Sequence, residues 1–97
     1  MTRAPLFRPQ AEAEALDARR WDEARRAGLG DAFGAEVDAA VARIIEHPLA
    51  FPRVRGETRR AVLTRFPYAL YFRITDDSIV VLAVHGRQDP LRWHRRS

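Results

Sequence analysis

The side chains able to act on a polyanion come late in this chain: Arg60, Arg65, Tyr71, Arg73, His85, Arg87 and Trp93. Metal-free cleavage of RNA needs one group to take the 2′-hydroxyl proton, another to protonate the leaving oxygen, and cations to hold the charge of the transition state. His85, whose ordinary pKa lies nearest neutrality, and Tyr71 are the candidate proton carriers. Arg60, Arg73 and Arg87 are the candidate phosphate holders. The same residue types suit a second use, a basic surface that docks on an acidic partner and blocks it without any reaction. No P-loop, dinucleotide fingerprint or nucleophile motif offers a third chemistry.

These residues cooperate only if strands line them up. From Arg59 onward the apolar period becomes two, in RRAVLTRF, PYALYFRI and SIVVLAVH, each rich in β-branched and aromatic residues. Thr75 to Ser78 is a polar turn, which makes the last two segments an antiparallel hairpin. Alternation puts Leu70, Phe72 and Ile74 on one face with Ala61 and Leu63, the expected core. It puts Ala69, Tyr71 and Arg73 on the other with Arg60, Val62 and Thr64. The last segment is apolar on both faces, as a central strand is, and delivers His85 and Arg87 to a rim, with Trp93 nearby.

The upstream half must cover the core face. Leu6-Phe7-Arg8 reads as a short first strand, kept to an edge by Pro5. A helix from Pro9 to Arg26 follows, with acids early and arginines late, and with Leu16, Trp21 and several alanines as its thin apolar side. Gly28 and Gly30 make a tight link. Asp31 is the expected N-cap of a second helix, in which Phe33, Val37, Ala40, Val41, Ile44 and Ile45 recur at helical spacing, and Pro48 stops that helix. The predicted fold is α+β, in the order β-α-α-β-β-β. A helical hairpin packs on one face of a small, mostly antiparallel sheet, and residues 1–97 form a single domain.

Composition narrows the function classes. Residues 1–48 carry seven arginines against nine acids, and residues 49–97 carry ten against four, so the basic character lies with the sheet. All 17 cationic side chains are arginine, whose planar fork matches carboxylates and phosphates. With no cysteine, thiolate catalysis and Cys-based zinc sites are excluded, and with three scattered histidines neither metal nor cofactor is expected. No apolar run is long enough for a membrane span, and the N-terminus lacks a signal-peptide core, so a cytoplasmic protein is expected.

In order and wording the chain resembles the RelE/ParE toxins of bacterial type II toxin-antitoxin systems. The resemblance rests on "ARIIEHP" at the end of the helical hairpin, the connector "LAFPRV", the strands "RRAVLTRFPYALYFRITDDSIVVLAV", and the tail "HGRQDPLRW", which is similar to the HxRRDPxxW-type ending of ParE-like members. It implies a growth-inhibiting protein that forms a hetero-oligomer with a cognate antitoxin. ParE-like members poison DNA gyrase; RelE-like members cleave mRNA on the ribosome. RelE-type members tend to carry a basic residue directly after the tyrosine that opens the third strand, whereas here Ala69 follows Tyr68 and Val62 stands where a second basic residue would fall. Arg87 matches the late arginine, and Trp93 replaces a terminal tyrosine. The resemblance therefore implies gyrase inhibition ahead of ribonuclease activity. The contacts to target or antitoxin would then be Arg60, Arg65, Tyr71, Arg73, His85, Arg87 and Trp93. A basic nucleic-acid-binding module without toxicity is the third reading, marked by a steep salt dependence of affinity.

Overall fold

A computed structural model of the chain describes residues 4–86. Its elements are β1 (Ala4–Phe7), α1 (Pro9–Arg25), α2 (Leu29–Glu46), a 3-10 turn (Pro48–Ala50), β2 (Arg53–Arg55), β3 (Thr58–Val62), β4 (Tyr68–Ile74) and β5 (Ser78–Gly86). The strands form one sheet in the order β1-β5-β4-β3-β2, antiparallel except that β1 runs parallel to β5. The expected α+β plan holds. The connector adds to it the 3-10 turn and one strand, the three-residue β2, too short to show a period of two.

α2 is the helix that builds the core. Phe33, Val37, Ala40 and Ile44 fall on one side of it and are buried, packed with Ala61, Leu63, Leu70, Phe72, Ile79 and Val81 of the sheet. The Phe33 ring meets Phe66 and Tyr68 edge-on, with centroids 5.5 and 5.4 Å away. Such pairs add about 0.5–1.5 kcal/mol to the burial of the ring itself.

α1 departs from the expected pattern. Leu16 and Trp21, read as its apolar side, are 46% and 62% exposed, while Ala11, Ala18 and Asp22 are the buried residues. Small side chains win because α1 and α2 lie close together: a Cβ at Gly30 would sit 3.1 Å from the carbonyl oxygen of Arg19. Bulky residues would hold the helices apart, so they point outward.

The start of α2 is also corrected. Asp31 is not its N-cap. The helix begins at Leu29 because Gly28 takes a left-handed φ of 93°, a conformation natural to glycine. The cap comes from α1, where the Glu23 carboxylate accepts the N–H groups of Gly28 at 3.1 Å and of Gly30 at 2.9 Å. Asp31, in the first turn, pairs instead with Arg19 at 2.7 Å.

Two further contacts shape the sheet. Glu36 of α2 accepts the Thr64 hydroxyl at 2.8 Å and the Arg65 main-chain N–H at 2.6 Å, pinning the β3–β4 turn to the helical layer. Thr64 is thus drawn away from the face that strand alternation assigned to it. At the outer edge, Arg8 donates its N–H to the Val81 carbonyl at 3.0 Å, so alternation turns Pro5 outward, where its missing N–H costs no ladder bond. None of the described helices is long and apolar enough to cross a membrane.

Candidate functional site

The second face of the sheet carries most of the residues singled out above. Register pairs Arg60 of β3 with Tyr71 of β4, and Tyr71 with Ala83 of β5, so these share one side, and Arg73 lies two residues along. Here the structure corrects the expectation of a bare surface. Ala69 and Tyr71 have no exposed area and Ala83 has 1%; Val54 of β2 packs against them as a second buried cluster. Tyr71 is therefore a core ring on this face and presents nothing to a large substrate. A strand's alternation tells which face a side chain takes, not whether that face is covered.

His85 is corrected in the same direction. It lies inside β5 opposite Ala69, is 5% exposed, and has its ring centroid 6.5 Å from that of Tyr71. Its Nε2 is 3.3 Å from Oε2 of Glu14 on α1, and the other oxygen of Glu14 accepts the Val84 N–H at 2.9 Å. Sequence reasoning missed Glu14, because two residues 70 positions apart leave no local signal of their meeting. It also missed Tyr68, which with Glu14 and His85 lines a pocket of about 460 Å³. Burial first, and then the negative charge of Asp22, raise the pKa of the Tyr68 hydroxyl above its usual value.

Cations lie beside the sealed centre on β3 and β4. Arg60 is part-buried, and its Nε has no hydrogen-bond partner among the described residues. Arg73 is exposed and donates from Nε to the Thr58 hydroxyl at 3.4 Å. Arg55, Arg60 and Arg73 form no ion pair among the described residues. Arg59, which the sequence did not single out, turns inward and donates to the Phe51 carbonyl at 2.6 Å. Arg65 does not join the set: it stands on the β3–β4 turn that Glu36 holds, with its guanidinium 6.0 Å from the Phe66 ring. Arg87 and Trp93 lie outside the described residues. Among the described residues no group of three His, Asp or Glu side chains is arranged to hold a metal ion.

The fold and its arginine-rimmed sheet invite comparison with known proteins. Residues 6–90 match the family described as the ParE toxin of the type II toxin-antitoxin system, parDE. The chain belongs to the ParE toxin family. No curated protein matches it. Among solved structures, this ParE-family chain is similar to one from the chromosomal ParDE toxin-antitoxin system of P. aeruginosa, with a TM-score of 0.68 at 20% identity over 88% of this chain and 96% of the other. It is also similar to one from the toxin-antitoxin complex RelBE2 of Mycobacterium tuberculosis, with a TM-score of 0.62 at 20% identity over 90% of this chain and 100% of the other. At that identity the two structures share its fold. The ParE family frame is thus two helices over one face of a five-stranded sheet, and in this member the other face has an apolar centre and a cationic rim.

Proposed function

We propose that this ParE-family toxin arrests growth by docking on DNA gyrase through the arginines around the second sheet face, without catalysing a reaction there. The burial of Tyr71 and His85 carries this reading. A general acid or base must come within hydrogen-bond reach of the proton it moves, about 2.6–3.2 Å. Two proton carriers covered by their own fold do not meet that condition for a long polymer, whereas Arg55, Arg60 and Arg73 on the rim suit carboxylates and phosphates of a partner surface.

A cognate antitoxin fits the same cations. The similar proteins come from systems named as toxin-antitoxin pairs. An acidic segment that orders on binding would offset its entropy loss by charge-assisted bonds to the guanidinium groups.

The test adds purified toxin to gyrase with supercoiled DNA and, in parallel, to translating ribosomes with a labelled message. Trapped gyrase–DNA breaks with an intact message are expected. Codon-specific cuts in the message would overturn the reading and assign the chain to ribosome-dependent RNA cleavage.

A further inference from the structure

A row of side chains crosses the second face at the end where the β2–β3 and β4–β5 turns lie. Register pairs Arg55 of β2 with Thr58 of β3, Arg73 of β4 with Val80 of β5, and Val80 with Leu6 of β1. The Thr58 hydroxyl accepts Arg73 Nε at 3.4 Å and joins the two halves. Facing residues of paired strands take the same side of a sheet, so the row runs from edge to edge across all five strands. Its ends differ. Arg55 and Arg73 are exposed cations toward one edge, while toward the other Val80 is half-buried and Leu6 is 57% exposed, an apolar side chain that the fold leaves in water.

Spacing selects the kind of occupant. Strands lie about 4.8 Å apart, so the row measures about 19 Å from Arg55 to Leu6. An α-helix returns to the same face about every 5.4 Å, close to one turn per strand, so a helix laid along the row sets a side chain over each member. An extended segment returns to the same face about every 6.6 Å and falls out of step within two strands. Charge selects the composition. Two carboxylates on one helix face meet Arg55 and Arg73, and apolar side chains further along cover Val80 and Leu6. Glu57, Asp76 and Asp77, all exposed, stand on the two turns at this end of the sheet. A nucleic acid, charged along its whole backbone, meets these acids as well, whereas a helix can confine its carboxylates to the line of the row.

We propose that this row receives an amphipathic helix of a partner protein, lying across the strands with its acidic end over Arg55 and Arg73 and its apolar end over Val80 and Leu6. Such a helix presupposes that the arginines of this face recognise a partner, as proposed above, and fixes the composition and direction of the segment they meet.

The test is an NMR titration of the full chain with a blocked, alanine-rich helical peptide of about 16 residues that carries, on one face, two glutamates toward one end and two leucines toward the other. A peptide of the same composition with the leucines set between the glutamates, and a short DNA duplex, are titrated in parallel. The ordered peptide is expected to shift the amides of Leu6, Arg55, Arg73 and Val80 saturably, and the permuted peptide to bind more weakly. Arg55→Ala and Leu6→Ser, both at exposed side chains, are each expected to weaken binding about threefold to tenfold, with resonances away from the row unmoved because the fold is kept. No saturable shift, an equal response to the permuted peptide, or affinity unchanged in both variants would overturn the proposal. So would saturable binding of the duplex at the same amides, which would give the row to nucleic-acid phosphates, or the same shifts on raising protein concentration alone, which would give it to a second copy of the chain. Trapped gyrase–DNA breaks made by a toxin that ignores both peptides would remove the helix and keep the docking on gyrase, whereas saturable binding of the ordered peptide by a toxin that cuts messages would keep the helix and remove the docking.

Discussion

The two faces of the sheet are both buried at their centres, but by different means. The helix-side face has Phe33, Ile44, Leu63, Leu70 and Phe72 in one continuous core beneath α2. The opposite face has, among the described residues, the smaller apolar cluster Ala69, Tyr71 and Ala83, with Val54 of β2 against them and His85 buried beside Tyr71, and Arg60 and Arg73 share that side. One face is closed by a helix that brings its own apolar side. The other is closed by small residues and Val54 around one ring, with Arg60 part-buried and Arg73 exposed beside it. In this toxin, stability is concentrated on the first face, and the recognition proposed above lies on the border of the second.

That contrast can be broken by substitution. Phe33→Ala removes the ring that meets Phe66 and Tyr68, and is expected to cost about 3–5 kcal/mol, read as a fall in the urea midpoint. Ala83→Leu asks how tightly the second face is shut. If Tyr71 and Ala83 are packed as described, overfilling is expected to cost about 1–3 kcal/mol in the same measurement. A change within about 0.5 kcal/mol would instead mean an open face. Arg73→Glu, on the exposed border, is expected to leave stability within about 0.5 kcal/mol while weakening cognate antitoxin binding about tenfold and flattening its salt dependence. Antitoxin binding and growth arrest both unchanged would remove Arg73 from the recognition surface.

The smallest expected effect belongs to Glu36. The Arg65 main-chain N–H lowers its pKa below the ordinary 4.5, partly opposed by burial and aided by the Thr64 hydroxyl. A depressed carboxylate contributes stability that is present above its unfolded pKa and lost as pH falls through the folded one. Urea midpoints from about pH 6 down to about pH 3 should therefore show wild type losing stability relative to Glu36→Gln only at the acid end. A constant difference across that range would show that Glu36 acts without its charge.

Much of this was legible in the residues. The spacing of Phe33, Val37, Ala40 and Ile44 announces α2, and the apolar run from Ile79 announces a central β5, because periodicity is a local property that each segment carries alone. The face shared by Arg60, Tyr71 and Arg73 follows from alternation, and the register agrees. Other features had no such signal. The outward turn of Leu16 and Trp21 depends on how near α2 comes, and the capping of α2 by Glu23 depends on a neighbouring helix. β2 shows itself only by pairing with β3.

The amino-acid sequence by itself determined the two helices and every strand but β2, which side of those strands a residue takes, that the excess of positive charge belongs to the sheet half, and the family. Only the tertiary structure decided which of those sides stays open. It buried Tyr71, drew His85 to Glu14, and left Arg73 at the surface. The reason is physical. Local pattern is set by the few torsions around each residue, while exposure is set by whichever distant segment arrives to displace water, as Val54 does on one face of this sheet and α2 on the other.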